Sequence, residues 1–390
     1  MNMIFSIKAL LWASVFMIFY AYPGYPALLW IISRLKRQSC LEKKGFGEAP
    51  RHSVSLLISA YNEEAVIEQK ILNSLLLDYP KDLVEIIVIS DGSDDSTCEI
   101  VARYADRGVI LKHYEGRIGK TECLNRVVPE VRGSMIVFSD ANSEYERESL
   151  QELVKHFSDL AVGFVTGWTK YRSSNEKDGV GSVGIYAKLE LLVKRLESRI
   201  GSCVGADGAI FAIRKELYQP LKASDINDFI IPLSIIRRGY RGVLEEKSVC
   251  FEKTAESGRG EFNRQVRITN RTIRAIVNNR TLLNPSRFGI FSFQLFSHKL
   301  CRFLVPLFLI VLFVCGMVLS SHNTFYLMVF GGQIIFYLSA GFAGGVQGMP
   351  FLSRVFTASY SFVMVNFAIL MAWIKYFQGA TYTTWSPTQR

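Results

Sequence analysis

Val84-Glu-Ile-Ile-Val-Ile-Ser-Asp-Gly-Ser-Asp-Asp-Ser-Thr97 and Ser134-Met-Ile-Val-Phe-Ser-Asp-Ala-Asn142 decide how this chain is read. Each opens on a short apolar run, Val84–Ile89 and Met135–Phe138, of the kind that forms a buried strand. Each ends in a polar, acidic loop. In an alternating α/β sheet, ligands bind at the loops beyond the carboxyl ends of the strands. Two such loops bearing carboxylates imply a pocket for a nucleotide and a divalent cation.

The flanking sequence has the same rhythm. Ser53–Ala60 reads as a strand and Asn62–Leu77 as a helix, with Glu63 and Glu64 in its first turn, where negative charge suits the dipole. Helices are expected at Asp95–Asp106, Lys120–Val131 and Arg147–His156, and a short strand at Val109–His113. Val162–Tyr171 should begin an antiparallel continuation, followed by a glycine joint at Gly179–Gly184 and an amphipathic helix at Ile185–Ile200. Ala209–Ile213 and Gly242–Phe251 read as further strands. This alternation predicts an α/β fold with a mixed, mostly parallel sheet and helices on both faces.

The 390 residues leave room for a membrane part beside that domain. Residues 4–33 hold one charge, Lys8, and residues 303–345 and 355–374 hold none. Since about 20 apolar residues cross a bilayer, spans are expected near 9–31, 303–320, 324–345 and 354–375. The first lacks a small-x-small cleavage pattern and reads as a retained anchor, which Pro23 and Pro26 either kink or split into a re-entrant pair. Arg34, Lys36, Arg37, Lys43 and Lys44 follow it, and His298, Lys299 and Arg302 precede the next span. By the positive-inside rule, residues 34–302 then face the cytoplasm.

The net charge of +10 is accounted for by membrane lipids and phosphorylated substrates. No zinc-finger spacing or RNA-binding signature points to nucleic acid. The seven cysteines form no Cys-x-x-Cys pair and suit a reducing compartment. The division that follows is an anchor (1–33), a basic linker (34–52), an α/β domain (53–262), basic interfacial helices (263–300), three spans (301–377) and a tail (378–390).

Individual residues admit two readings each. Asp91 could accept hydrogen bonds from a base or ribose, or cap a turn, with Asp94 or Asp95 the better cap. Asp140 and Asn142 could place two oxygens on one Mg²⁺ or Mn²⁺, or cap a helix. Gly119-Lys120-Thr121 is not a P-loop, because Tyr114 stands where a glycine is required. Lys120 can still meet a phosphate at a helix start. Asp225 and Asp228 fit a capping box, or Asp228 is a general base. Arg264, Arg267, Arg271 and Arg274 form a helical stripe that rests on headgroups or clamps a diphosphate.

The order of these motifs is specific. Ser59-Ala-Tyr-Asn-Glu-Glu64, Ser90-Asp-Gly-Ser-Asp-Asp95, Gly119-Lys-Thr-Glu-Cys-Leu-Asn125, Asp140-Ala-Asn142, Gly205-Ala-Asp-Gly208 and Asn227-Asp-Phe-Ile-Ile-Pro232 follow one another. Together they resemble a membrane-bound family 2 inverting glycosyltransferase. The resemblance implies a GT-A fold. It implies a donor site of Ala60, Glu63, Asp91, Lys120, Asp140, Arg264 and Arg267, and a metal motif of Asp140 and Asn142. It also implies an acceptor-lining segment of Gly205, Ala206, Asp207 and Gly208, and Asp228 as the catalytic base.

The partners so implied are a nucleoside diphosphate sugar, a lipid-linked or saccharide acceptor, and polysaccharide export proteins, at the inner (plasma) membrane. One departure stands out. Polymer synthases of the family carry Gln-x-x-Arg-Trp, whereas this chain has Arg264-Gln-Val-Arg267-Ile268. The missing indole favours limited transfer over processive synthesis. The competing readings are a processive synthase of the poly-N-acetylglucosamine, cellulose or hyaluronan type, a non-catalytic nucleotide-sensing membrane subunit and, more weakly, a transporter. Strict alternation of the spans places the tail outside, while a re-entrant or surface-lying segment returns it, with Trp385, to the catalytic side.

Overall fold

The computed structural model describes residues 2–35, 52–172, 182–253, 258–342 and 350–383. Eight strands form one sheet: β1 Val54–Ala60, β2 Val84–Asp91, β3 Val109–Tyr114, β4 Met135–Asp140, β5 Glu144–Tyr145, β6 Val162–Arg172, β7 Ile210–Arg214 and β8 Arg241–Lys253. Their order is β3-β2-β1-β4-β7-β6-β8-β5. β3, β2, β1 and β4 are mutually parallel. β7 runs antiparallel between β4 and β6, and β6 pairs parallel with β8. The strand order reverses about β1, so the crevice where ligands bind such sheets opens beyond Ala60, Asp91 and Asp140.

Every residue of β1 is buried. Successive side chains of a strand point to opposite faces, and the alternation divides the core in two. Leu57, Ile87, Ile89, Ile136 and Phe138 pack on one face. Val54, Leu56, Ile58, Ile86, Val88 and Val137 pack on the other. Each such side chain stabilises the fold by about 1.5–3 kcal/mol before entropy is subtracted.

The helices are α1 Asn2–Phe19, α2 Tyr25–Leu35, α3 Ile67–Leu75, α4 Thr97–Ala102, α5 Lys120–Val127, α6 Ser149–Val154, α7 Ser182–Ile200, α8 Asn227–Arg237, α9 Gly258–Asn278, α10 Pro285–Phe288, α11 Ile290–Leu295, α12 Cys301–Ser320, α13 Thr324–Gly341 and α14 Pro350–Phe377. Among the described residues, four helical stretches are long and apolar enough to cross a membrane: Met3–Leu35, Ile290–Ser320, Thr324–Gly341 and Val355–Phe377. Pro23 falls in a π-turn, Tyr20–Gly24, that joins α1 to α2 in one helical run. The core face carrying Phe138 continues through Phe229 and Ile231 of α8 and Ile273 of α9 to Ala368, Ile369 and Ala372 of α14. The sheet and the last apolar helix therefore share one hydrophobic core.

One expectation is corrected, and of the two readings of the tail one is favoured. The helix expected from Asn62 begins at Ile67, because Asn62 adopts φ 49° and joins a loop contact. The last described residues do not lie across the apolar helices from the sheet. Arg274 donates to the Ala380 carbonyl at 3.0 Å, and a Cβ on Gly119 would stand 3.0 Å from the Thr383 carbonyl oxygen. Trp385, most of the basic linker and part of the glycine joint lie outside the described residues.

Candidate active site

The loops after β1 and β2 are stitched together. Asn62 donates to Asp94 Oδ1 at 2.6 Å and accepts from the Asp94 N–H at 3.1 Å. The Glu63 N–H donates to Thr97 Oγ1 at 2.9 Å, and the Glu64 N–H to Asp95 Oδ2 at 3.1 Å. Asp95 also accepts from the Thr97 N–H at the head of α4, as a cap residue would. Ala60 at the end of β1 is paired in register with Ser90, so Ala60 and Glu63 stand beside the β2 loop.

Asp91 is buried in that crevice. Its Oδ1 accepts the Gly119 N–H at 2.9 Å and its Oδ2 lies 3.5 Å from Arg117 Nε. Arg117 stacks over Tyr61, 3.3 Å from the ring centroid. Gly92, at φ +70°, allows this approach, since a Cβ there would stand 2.3 Å from the Gly116 carbonyl oxygen. Tyr61 and Arg117 were not singled out in the sequence. Their signals were local: Tyr61 directly follows Ala60, and Arg117 sits in a loop between Gly116 and Gly119.

Asp140 ends β4, and its Oδ1 is 2.6 Å from Lys120 Nζ at the start of α5. The ammonium stands where a cation would be attracted. Asn142 Nδ2 is buried without a hydrogen-bond partner among the described residues. No group of three or more His, Cys, Asp or Glu residues among the described ones forms a closed metal cage. Two oxygen-bearing side chains on one loop fit Mg²⁺ or Mn²⁺, which take their remaining ligands from phosphate and water. Behind the loop, the fully buried Lys70 donates to the Ser143 carbonyl at 2.6 Å. Burial pulls its amine down to about 8 against the opposing influence of Cys250 and nearby acids.

Asp228 stands in the first turn of α8 and caps nothing. The cap position is Ile226, and Asp225 accepts instead from the Lys222 N–H at 2.8 Å. The capping-box reading of Asp225 and Asp228 therefore fails. Asp228 Oδ1 is buried with no hydrogen-bond partner among the described residues. Burial raises its carboxyl above the ordinary range; Lys120 and Lys194 oppose this, while Asp140 and Asp207 add to it. Lys194, a buried residue of α7, was not anticipated from the sequence.

The Gly205–Gly208 segment lies against Asp228. The Ala206 N–H donates to the Asp228 carbonyl at 2.8 Å. A Cβ on Gly208 would stand 2.8 Å from Asp228 Oδ2, so only glycine leaves room for the carboxylate. Asp207 is spent on structure: it accepts from Thr169 N at 3.0 Å, Thr169 Oγ1 at 2.9 Å and Ala209 N at 3.2 Å.

The arginine stripe divides along α9. Arg271 donates to the carbonyls of Ser224 and Asp225, holding the approach to α8, and Arg274 binds the Ala380 carbonyl. Arg264 lies 3.2 Å from Glu261. Burial opposes its charge, but Glu261, Tyr171, Glu252 and Asp140 together raise it above the usual guanidinium value. Arg267 is lowered, first by burial and then by the charge of Arg264. Arg264 has its anions, whereas Arg267, lowered beside it, is the guanidinium whose charge a diphosphate would favour.

Residues 55–221 match the family model described as Glycosyl transferase family 2. The chain is 25% identical over 260 residues to the poly-beta-1,6-N-acetyl-D-glucosamine synthase of Staphylococcus aureus, covering 63% of this chain and 62% of that protein. It is 36% identical over 139 residues to a probable glycosyltransferase, YdaM, of Bacillus subtilis, covering 34% of this chain and 32% of the relative. The chain thus spans less than two thirds of the curated relatives it matches. A mannosyltransferase of Pyrobaculum calidifontis, solved with GDP-mannose and Mn²⁺, shares the fold with a TM-score of 0.70 at 20% identity, over 95% of this chain and 99% of that one. On its motifs, its GT-A-like sheet and this family match, residues 55–221 constitute a family 2 glycosyltransferase domain.

Proposed function

We propose that the chain is an inverting glycosyltransferase that moves a sugar from a nucleoside diphosphate sugar to a lipid-linked or saccharide acceptor, in the synthesis of cell-surface polysaccharide or glycolipid. The observation that carries this reading is Asp228. Its carboxylate, whose Oδ1 is buried without a hydrogen-bond partner among the described residues, lies against Gly208 and feels the charges of Lys120 and Asp140. Leaving such a group unsatisfied costs about 1–3 kcal/mol. A group kept at that cost, with its pKa raised toward neutrality, is suited to general base catalysis.

In this mechanism Asp91, Ala60, Glu63 and the stacked Tyr61 and Arg117 hold the nucleoside. Lys120, Arg264 and Arg267 hold the diphosphate and offset the charge that develops as it departs. Asp228 takes the proton from the acceptor hydroxyl, whose oxygen attacks the anomeric carbon from the face opposite the leaving group. One displacement inverts the centre, and no covalent enzyme intermediate forms. Asp140 and Asn142 would hold Mg²⁺ or Mn²⁺, which when bound neutralises diphosphate charge. Gly205–Gly208 would line the acceptor side. The basic residues flanking the apolar helices favour a cytoplasmic catalytic domain at the inner membrane, where anionic lipids, and export proteins for a polymer, would be its partners.

The poly-beta-1,6-N-acetyl-D-glucosamine synthase of Staphylococcus aureus supports N-acetylglucosamine as the transferred sugar and keeps processive synthesis as the second reading. Ile268, in place of an aromatic platform, favours limited transfer. A screen of UDP- and GDP-sugars that detects nucleoside diphosphate release tests the proposal. We expect release from one donor class, dependent on Mn²⁺ or Mg²⁺, and no release from any donor would refute it. Sizing the labelled product separates the two modes, since a ladder of long chains would support the synthase.

A further inference from the structure

The transfer mechanism leaves one fully buried carboxylate unused. Glu197 of α7 has 0% exposure. Its Oε1 accepts from Tyr25 Oη at 2.7 Å and lies 2.9 Å from His298 Nδ1. Its Oε2 accepts the Val204 N–H at 3.2 Å. Tyr25 belongs to the first apolar helical run, and His298 to the head of the second. Val204 immediately precedes Gly205, and Ala206 is hydrogen-bonded to Asp228. One carboxylate therefore ties two membrane helices to the loop that packs against the proposed base.

The geometry of the knot suits a carboxylate. Three donor-bearing groups converge on two oxygens, and only a carboxylate can accept on both sides. A glutamine here would turn an NH₂ either toward the Val204 N–H or toward Tyr25 and His298. Burial of the charge is offset by its hydrogen bonds. The surroundings are strongly charged: the other ring nitrogen of His298 lies 3.0 Å from Glu190, which also meets Lys299 at 3.1 Å and Arg302 at 2.9 Å. Burial alone would raise Glu190, but these cations outweigh it and hold the carboxyl well below its usual range. Glu190 pairs with His298, Lys299 and Arg302 and, among the described residues, with none of the loop, which gives the cluster an internal control.

We propose that Glu197 is a positioning residue for the transfer step, holding the Val204–Gly208 loop, and through it Asp228, in register with the membrane helices. This rests on the reading of Asp228 as the base. It also gives those helices a role beyond anchorage, since an acceptor borne by lipid must meet Asp228 at a fixed height above the bilayer.

The test uses the full chain in lipid nanodiscs with UDP-N-acetylglucosamine, following UDP release and backbone amide exchange. E197Q should lower kcat about 10–100-fold, the scale of a misplacement of about 1 Å, with KM for the donor within about twofold. Exchange at residues 203–208 should quicken, while β1 and α12 stay unchanged. E190Q should keep kcat within about twofold. Wild-type kcat in E197Q, a raised KM alone, or an equal loss in E190Q would overturn the proposal. Where E197Q cannot be recovered folded, the wild type carries the test. The Val204 amide should exchange as slowly as those of β1, and exchange as fast as in residues 222–225 would overturn it. A wild-type chain that releases no nucleotide leaves the exchange arm standing, so failure of the base assignment and failure of the Glu197 role are distinguishable.

Discussion

The donor half of the crevice and the Asp228 half are built on opposite terms. Around β1, β2 and β4 the carboxylates have partners: Asp91 Oδ1 accepts the Gly119 N–H, while its Oδ2 accepts no hydrogen bond among the described residues but lies 3.5 Å from the Arg117 guanidinium; Asp94 meets Asn62, Asp95 two backbone N–H groups, and Asp140 Lys120. On the other side Asp207 is occupied threefold, yet Asp228, held against it by the same loop, keeps Oδ1 empty. An occupied carboxylate shapes a loop and waits for a ligand. An empty buried one is destabilising, and its retention points to chemistry. This contrast separates the proposed binding residues from the proposed base more sharply than residue type does, because aspartate occurs in both halves.

The strongest way to break the contrast is at Asp228. D228N should lower transfer about 10²–10⁴-fold, the usual worth of a general base, while the donor Kd stays within about twofold by calorimetry. The same change removes a buried, raised carboxyl and should not lower the thermal midpoint. Loss of folding instead of turnover would move Asp228 into the structural class. Next in size, G208A pushes a methyl into Asp228 Oδ2 and should lower kcat about 10²-fold with little change in donor affinity. An unchanged kcat would show that the carboxylate does not work from this position.

R267A tests the donor half. It removes one of two crowded guanidiniums and should raise the donor KM about tenfold. A selective loss of thermal stability would instead mark it as structural. D207N sharpens the comparison from the occupied side. It exchanges an acceptor oxygen for a donor among three N–H and O–H groups, and should destabilise the protein by about 1–3 kcal/mol, read as a lower unfolding midpoint. Any activity lost should return when the assay is run at lower temperature.

The strands were legible in the sequence because a buried β-branched run has few alternatives: Val84–Ile89 extended only to Asp91, and Met135–Phe138 only to Asp140. The helices long and apolar enough to cross a membrane were legible for the same reason, as composition alone marks them. The helix expected from Asn62 failed because its first residues are claimed by Asp94 and Thr97, partners more than 30 residues away. Asp228 illustrates the same limit at the site. Cap and base share one local sequence, and the difference is made by Gly205–Gly208, which arrives from another part of the chain. Arg117 and Tyr61 escaped notice because a stacked pair has no spacing to read when its members lie on different loops.

The most direct measurement is the pH dependence of kcat in the wild type and in D228N. The reactive form of Asp228 is the anion, which exists above a pKa raised by burial. Wild-type kcat should therefore fall about tenfold per pH unit below an apparent pKa higher than that of an ordinary aspartate. The residual rate of D228N should be flat across that range. An identical acid limb in both proteins would assign the titrating base elsewhere and contradict the account.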